Sequence, residues 1–224
     1  MECALRAVRR RLTTGSAGLA LLFVALLTGC SSGGGGTSAS SAWHGDTLAP
    51  PITLTAASGT ATFSSSAGTN TSLASQQKGR LMLLYFGYTH CPDICPTTMA
   101  DLASALRELP VAVQRSTQVV FVTADPARDT PPVMKAWLRN FDSGVALPFI
   151  GLTGPVTQID NVAKSVGIAL EPPVKQPNGS ITVQHGAETL AFIDGEASLV
   201  WTSDTPVTDY AADIRRLAAK VSSA

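Results

Sequence analysis

Apolar and polar residues alternate along this chain with different periods, and each period predicts an element. Residues 80–88, RLMLLYFGY, and 118–125, QVVFVTAD, are continuous apolar runs of strand length. Such runs suit central strands buried on both faces. After the first run, PTTMADLASALRELP places Met99, Leu102, Leu106 and Leu109 at helical spacing, with Pro96 in a first helical turn and Pro110 ending the helix. After the second, DTPPVMKAWLRNF predicts a helix with Asp129 or Thr130 as its cap and Pro131 near its first position. FIGLTG leads into a third helix over PVTQIDNVAKSVGI, and the Pro-rich loop EPPVKQPNGS follows. ITVQHG and ETLAFIDGEASLVWTS read as late strands turning at Asp194-Gly195. TDYAADIRRLAAKV reads as a closing helix with Ile214 and Leu217 inward. Upstream, ITLT and TATF flank AASG, the pattern of a hairpin with a Gly at its turn, and residues 64–79 are polar and irregular.

Strands and helices therefore alternate, which predicts an α/β mixed sheet with helices on both faces and an N-terminal β-hairpin extension. A cysteine pair at the first strand-to-helix junction, followed by a late antiparallel hairpin, is the thioredoxin-like arrangement.

The first thirty residues follow another logic. RAVRRR, residues 6–11, is a positive n-region, and AGLALLFVALL, residues 17–27, is an apolar stretch of signal-peptide length. LTGC, ending at Cys30, resembles a bacterial lipobox, in which the cysteine accepts a diacylglycerol and becomes the mature N-terminus. Residues 1–29 are thus expected to be a lipoprotein signal peptide. Residues 30–45 are expected to be a lipidated Cys30 with a Gly/Ser-rich tether, and 46–224 the folded domain. That domain is expected at the extracytoplasmic face of the bacterial cell membrane, held by its lipid anchor.

Composition narrows the function. The 224 residues are 45% hydrophobic and 14% charged, which fits a globular chain. Sixteen basic residues balance sixteen acidic ones, so no charge excess points to nucleic acid. Of the four cysteines, Cys3 falls in the signal segment and Cys30 at the lipidation site, which leaves Cys91 and Cys95 as thiols.

Cys91 and Cys95 are spaced i, i+4 in CPDIC, so on a helix both sulfurs share one face. A helix N-terminus favours thiolate over thiol. Thiolates are both nucleophiles and soft metal ligands, so the pair is open to disulfide exchange or to metals such as Cu(I) and Zn. Proline on both sides of the pair argues against two inert packed cysteines. Two sulfurs rarely complete a metal site. Of the three histidines, His44 adjoins the tether and reads as a solvated group, and His90 directly precedes Cys91, so it borders the site rather than binding in it. His185 lies where a thioredoxin-like fold faces the cysteine pair; by that reasoning it is either a ligand or a satisfied core residue. Asp125, Arg128 and Asp129 follow the second strand. In one reading Asp129 caps a helix and Arg128 pairs with a neighbouring carboxylate; in the other the loop shapes the rim of the site or a partner's landing surface.

FGYTHCPDICP, DPARDTP and the histidine of VQHGAE, in that order, resemble the Sco/SenC family of copper-binding thioredoxin-like proteins. The resemblance runs from about Asp46 to the C-terminus, with a lengthened polar stretch at residues 64–78. It implies copper, as Cu(I) and Cu(II), held by Cys91, Cys95 and His185. It also implies delivery to the Cu(A)-bearing subunit of cytochrome c oxidase, or upkeep of that centre's cysteines in reduced form, with another copper donor or a thiol reductant as a further partner. The resulting expectation is a membrane-anchored metallochaperone rather than a turnover enzyme. Its rival is an extracytoplasmic thiol–disulfide oxidoreductase with Cys91 and Cys95 as the redox-active pair. A peroxiredoxin-like peroxidase fits less well, because it places Thr three residues before the attacking Cys, where this chain has Tyr88.

Overall fold

The computed structural model describes residues 43–171, 174–177, 181–183 and 185–221. The signal segment, Cys30 and nearly all of the expected tether lie outside these residues. Among the described residues no helix is long and apolar enough to cross a membrane.

The first two strands go to opposite sides of one sheet. β1 (Asp46–Thr53) pairs antiparallel with the last strand, whereas β2 (Phe63–Ser65) pairs with a strand from the middle of the chain. The hairpin expected across AASG is therefore not formed. Residues Ala56–Thr60 make a short helix, α1, because the Thr55 side chain caps it by accepting the Ser58 N–H at 3.1 Å. A hairpin does form one element later, within the stretch that reads as irregular. There β2 pairs with β3 (Asn70–Thr71), and Gly68 adopts a φ of 86° in the turn. α2 (Leu73–Gln77) follows, started by a reciprocal Ser72–Ser75 capping box.

β4 (Leu81–Gly87) is buried along its whole length. Its side chains alternate between two cores: Leu81, Leu83 and Tyr85 face one, Met82, Leu84 and Phe86 the other. The run is thus continuously apolar because helices cover both faces. α3 (Ile94–Arg107) comes next, then a short helix, α4 (Val111–Arg115), for which Pro110 is the N-cap. β5 (Thr117–Thr123) lies parallel to β4, and α5 (Pro131–Leu138) and β6 (Ile150–Thr153) continue the parallel half. α6 (Val156–Ser165) precedes β7 (Val174–Lys175) and β8 (Ile181–Thr182), which form a separate two-stranded sheet among the described residues. β9 (Thr189–Ile193) and β10 (Glu196–Trp201) form the late hairpin, with Asp194 at φ 49° and Gly195 at φ 90° in its turn. α7 (Val207–Val221) closes the domain.

The eight-stranded sheet has the order β1-β10-β9-β4-β5-β6-β2-β3, with β4 and β5 at its centre. Met99, Leu102 and Leu106 of α3, Met134 and Leu138 of α5, and Ile214 and Leu217 of α7 pack on one face; Ile159 and Val162 of α6 and Leu73 of α2 pack on the other. This is the mixed, helix-flanked thioredoxin-like architecture that the alternation of elements predicts. Asp213 of α7, wholly buried, fixes the start of the domain: its carboxylate accepts the N–H groups of His44 and Gly45 at 3.0 and 2.9 Å and the indole N–H of Trp201 at 3.2 Å.

Candidate metal centre

The central strand ends at Gly87, and the chain turns through residues 88–93 before α3 begins. The turn is tight because the Cys91 N–H donates to the Tyr88 carbonyl at 3.1 Å. Cys91 stands just ahead of the helix and is half-buried; Cys95 is the helix's second residue and is fully buried. The sequence accounts for this arrangement. The first N–H groups of a helix lack carbonyl partners, and here the Cys91 sulfur takes the Cys95 N–H at 3.4 Å.

His185 arrives from the far end of the chain, bridged to Leu170 just before the late hairpin. Its Nε2 lies 3.2 Å from Cys95 Sγ, and its Nδ1 lies 2.8 Å from the Gly186 carbonyl. A carbonyl only accepts, so Nδ1 carries a proton, and Nε2 is the ring atom that faces the sulfurs. The ligand atoms of Cys91, Cys95 and His185 all lie within 4.8 Å of one another.

The two thiols differ electrostatically. Cys91 is lowered from its ordinary value to about 3, first by a hydrogen bond from the Cys95 thiol, then by His185 and the backbone N–H groups of Asp93 and Cys95, against an opposing contribution from burial. Cys95 is pushed up, mainly by burial and further by the hydrogen bond to Cys91. The pair therefore holds one thiolate near the surface and one thiol inside. Cys91 is the ready nucleophile and first ligand, and Cys95 follows once its proton leaves.

The other candidates fall around this set. Asp129 is fully buried and does not cap α5, whose N-cap is Thr130. Its carboxylate accepts from the Thr89 N–H at 2.9 Å, the Thr89 hydroxyl at 2.6 Å and the Thr123 hydroxyl at 2.7 Å. Three donors drawn to one side chain hold it inward, so it pins the turn before Cys91 to the end of β5. Arg128 pairs with Asp125, three residues earlier. His90 is half-exposed, with Nδ1 3.0 Å from the Thr89 hydroxyl, and its ring nitrogens are not among the converging ligand atoms. His44 sits beside α7, 3.5 Å from Asp209. Sequence reasoning passed over two tyrosines. The Tyr85 hydroxyl lies 3.6 Å from Cys95 Sγ, and the rings of Tyr85 and Tyr88 meet His185 nearly edge-on, at centroid distances of 6.0 and 5.6 Å. The available signal was two phenols in an apolar run, since a buried phenol needs a polar partner.

Residues 55–220 match the model of the SCO1/SenC family. The solution structure of apo Sco1 from Thermus thermophilus superposes with a TM-score of 0.67 at 28% identity, covering 80% of this chain and 99% of that one. The structure of Bradyrhizobium japonicum ScoI with copper bound gives 0.59 at 29% identity, covering 70% and 96%. Mitochondrial SCO2 of Saccharomyces cerevisiae is 38% identical over 109 residues, 48% of this chain. The chain spans about half or less of the curated relatives it matches: 57% of a relative from Stutzerimonas stutzeri and 35% of the yeast protein. The family match reaches from the first helix into the last and takes in all three converging residues, and the chain therefore belongs to the SCO1/SenC family.

Proposed function

We propose that this protein binds copper through Cys91, Cys95 and His185 and passes it to the Cu(A)-bearing subunit of cytochrome c oxidase. The observation that carries this reading is the convergence of two sulfurs and one imidazole nitrogen within 4.8 Å from segments about ninety positions apart in the chain. Two thiolates and a neutral imidazole form a soft donor set that suits Cu(I) at low coordination number and can expand for Cu(II). The copper-bound Bradyrhizobium relative supports the choice of metal. Cys91 and His185 are half-buried rather than sealed, so a partner's ligands can reach the cargo. The LTGC motif supports a lipid anchor at Cys30 and a place on the extracytoplasmic face of the membrane, with the Gly/Ser-rich stretch as tether.

The asymmetric thiols favour a second use of the same residues. The Cys91 thiolate attacks a partner's disulfide and releases one partner thiolate. Cys95, on losing its proton, then attacks Cys91 Sγ and releases the other, leaving the partner reduced and this protein oxidised. His185 separates the two readings, because copper binding needs its lone pair and disulfide exchange does not. Titration of the reduced protein with Cu(I) and Cu(II), wild type against His185→Ala, tests the choice. The expected result is one copper per chain and an affinity reduced by about tenfold or more in the variant. Undiminished affinity in the variant would overturn the metal reading.

A further inference from the structure

Tyr88 touches every member of the Cys-Cys-His set. Its carbonyl accepts the Cys91 N–H at 3.1 Å. Its own N–H lies against Cys95 Sγ. Its ring meets the imidazole of His185 at 80° with centroids 5.6 Å apart, and its hydroxyl accepts the N–H of Val183, two residues before His185. The side chain is 4% exposed.

The three ligands are held unequally. Both sulfurs sit at the junction of the central strand with α3, where the backbone is fixed by ladder and helix bonds. His185 follows β8, which among the described residues pairs only with β7, and precedes β9, where the main sheet resumes. Its Nδ1 bond runs to its own neighbour, Gly186, and so does not tie the segment to the domain. Besides the bridge to Leu170, the rings of Tyr85 and Tyr88 both meet His185 edge-on. Tyr88 also reaches Val183 through its hydroxyl, so among the described residues it is Tyr88 that grips this segment at two points.

We propose that Tyr88 is the positioning residue that holds His185 against the two sulfurs, and that the Val183-to-Tyr88 hydrogen bond sets how readily the imidazole leaves them. The proposal rests on the copper-binding reading of the set. Loss of the hydroxyl loosens the histidine segment and leaves the sulfurs where they are, because their own contacts with Tyr88 are made by its backbone. Cargo release then begins with departure of the imidazole, and the phenol governs that step.

The test uses Tyr88→Phe, which keeps the ring and removes only the hydroxyl, together with His185→Ala and the double variant. Each reduced protein is loaded with Cu(I), and release is timed into excess bathocuproine disulfonate. The expected result is release about three- to tenfold faster in Tyr88→Phe, the equivalent of one neutral hydrogen bond, with no further acceleration from Tyr88→Phe in the His185→Ala background. Equal acceleration in both backgrounds would show a general structural effect and overturn the proposal. An unchanged rate in Tyr88→Phe, with His185→Ala accelerated, overturns the role of Tyr88 and leaves the copper reading standing. An unchanged rate in His185→Ala overturns the copper reading itself. Hydrogen exchange of the wild-type, metal-free protein adds a check that needs no variant: the Val183 amide is expected to exchange slowly, and an unprotected amide would refute the bond on which the proposal stands.

Discussion

Cys95 Sγ and His185 Nε2 stand 3.2 Å apart although ninety positions separate them in the chain. The sulfur is buried and its thiol is pushed up, and its one proton is shared with the Cys91 sulfur. The inner sulfur thus keeps a proton that a metal ion must displace.

That proton can be counted. Cys91 is already ionised near neutrality, and Cys95 keeps its hydrogen. Binding of Cu(I) to the reduced protein at pH 7 is expected to release about one proton per metal rather than two. Calorimetric titration in two buffers of different ionisation enthalpy measures the number, and a value of two would show that Cys91 is protonated in the free protein.

Alkylation should report the same asymmetry. The thiolate is the reacting species, so an ordinary thiol slows about tenfold for each pH unit below its pKa of roughly 8.5. Cys91, held down to about 3, keeps its thiolate as the pH falls. Its reaction with iodoacetamide is expected to stay nearly flat from pH 8 to about 5, while buried Cys95 reacts slowly throughout. Peptide mapping by mass spectrometry assigns the two rates. A tenfold fall per unit at Cys91 would contradict the lowered value.

Gly87, the last residue of the central strand, stands where a side chain has no room. A Cβ there would lie 2.8 Å from Cys95 Sγ, 2.7 Å from the Tyr85 ring and 3.0 Å from Phe121. Gly87→Ala is expected to cost about 1–3 kcal/mol in denaturant unfolding. Copper affinity should fall with it, because the sulfur is the atom displaced. Wild-type stability together with wild-type affinity would show that the packing yields.

Asp129 supports the site from behind. Asp129→Ala leaves the Thr89 N–H and the Thr123 hydroxyl facing a buried space with no acceptor, and the Thr89 hydroxyl with His90 Nδ1 alone beside it. A loss of about 3 kcal/mol is expected from the orphaned donors, and Asp129→Asn, which keeps one acceptor oxygen, should lose about half as much. Urea unfolding of the two variants gives both values. Equal losses would mean that the number of acceptors is not what matters.

Much of this molecule is legible as a string of residues, and the legible parts share a cause. The runs that become β4 and β5 are continuously apolar because both of their faces are covered, and the spacing of Met99, Leu102 and Leu106 on α3 reports the single face that is buried. Asp194-Gly195 marks a turn because its backbone angles are positive, and glycine adopts them without strain. These are local requirements, written where they act. The chemistry of Cys91 and Cys95 was legible for the same reason, since the two lie only four positions apart. Partner choice was not. Thr55 capped a helix where alternation suggested a hairpin, and β1 and β2 then found partners on opposite sides of the sheet. Ser72 and Ser75 made a helix start out of a polar stretch by bonding each other's backbone. Tyr88 read as one more apolar residue until the fold brought Val183 and His185 to it. A residue's own period reports whether it is buried and on which side. What it is buried against depends on the register of segments far away in the chain, and only the assembled sheet sets that register.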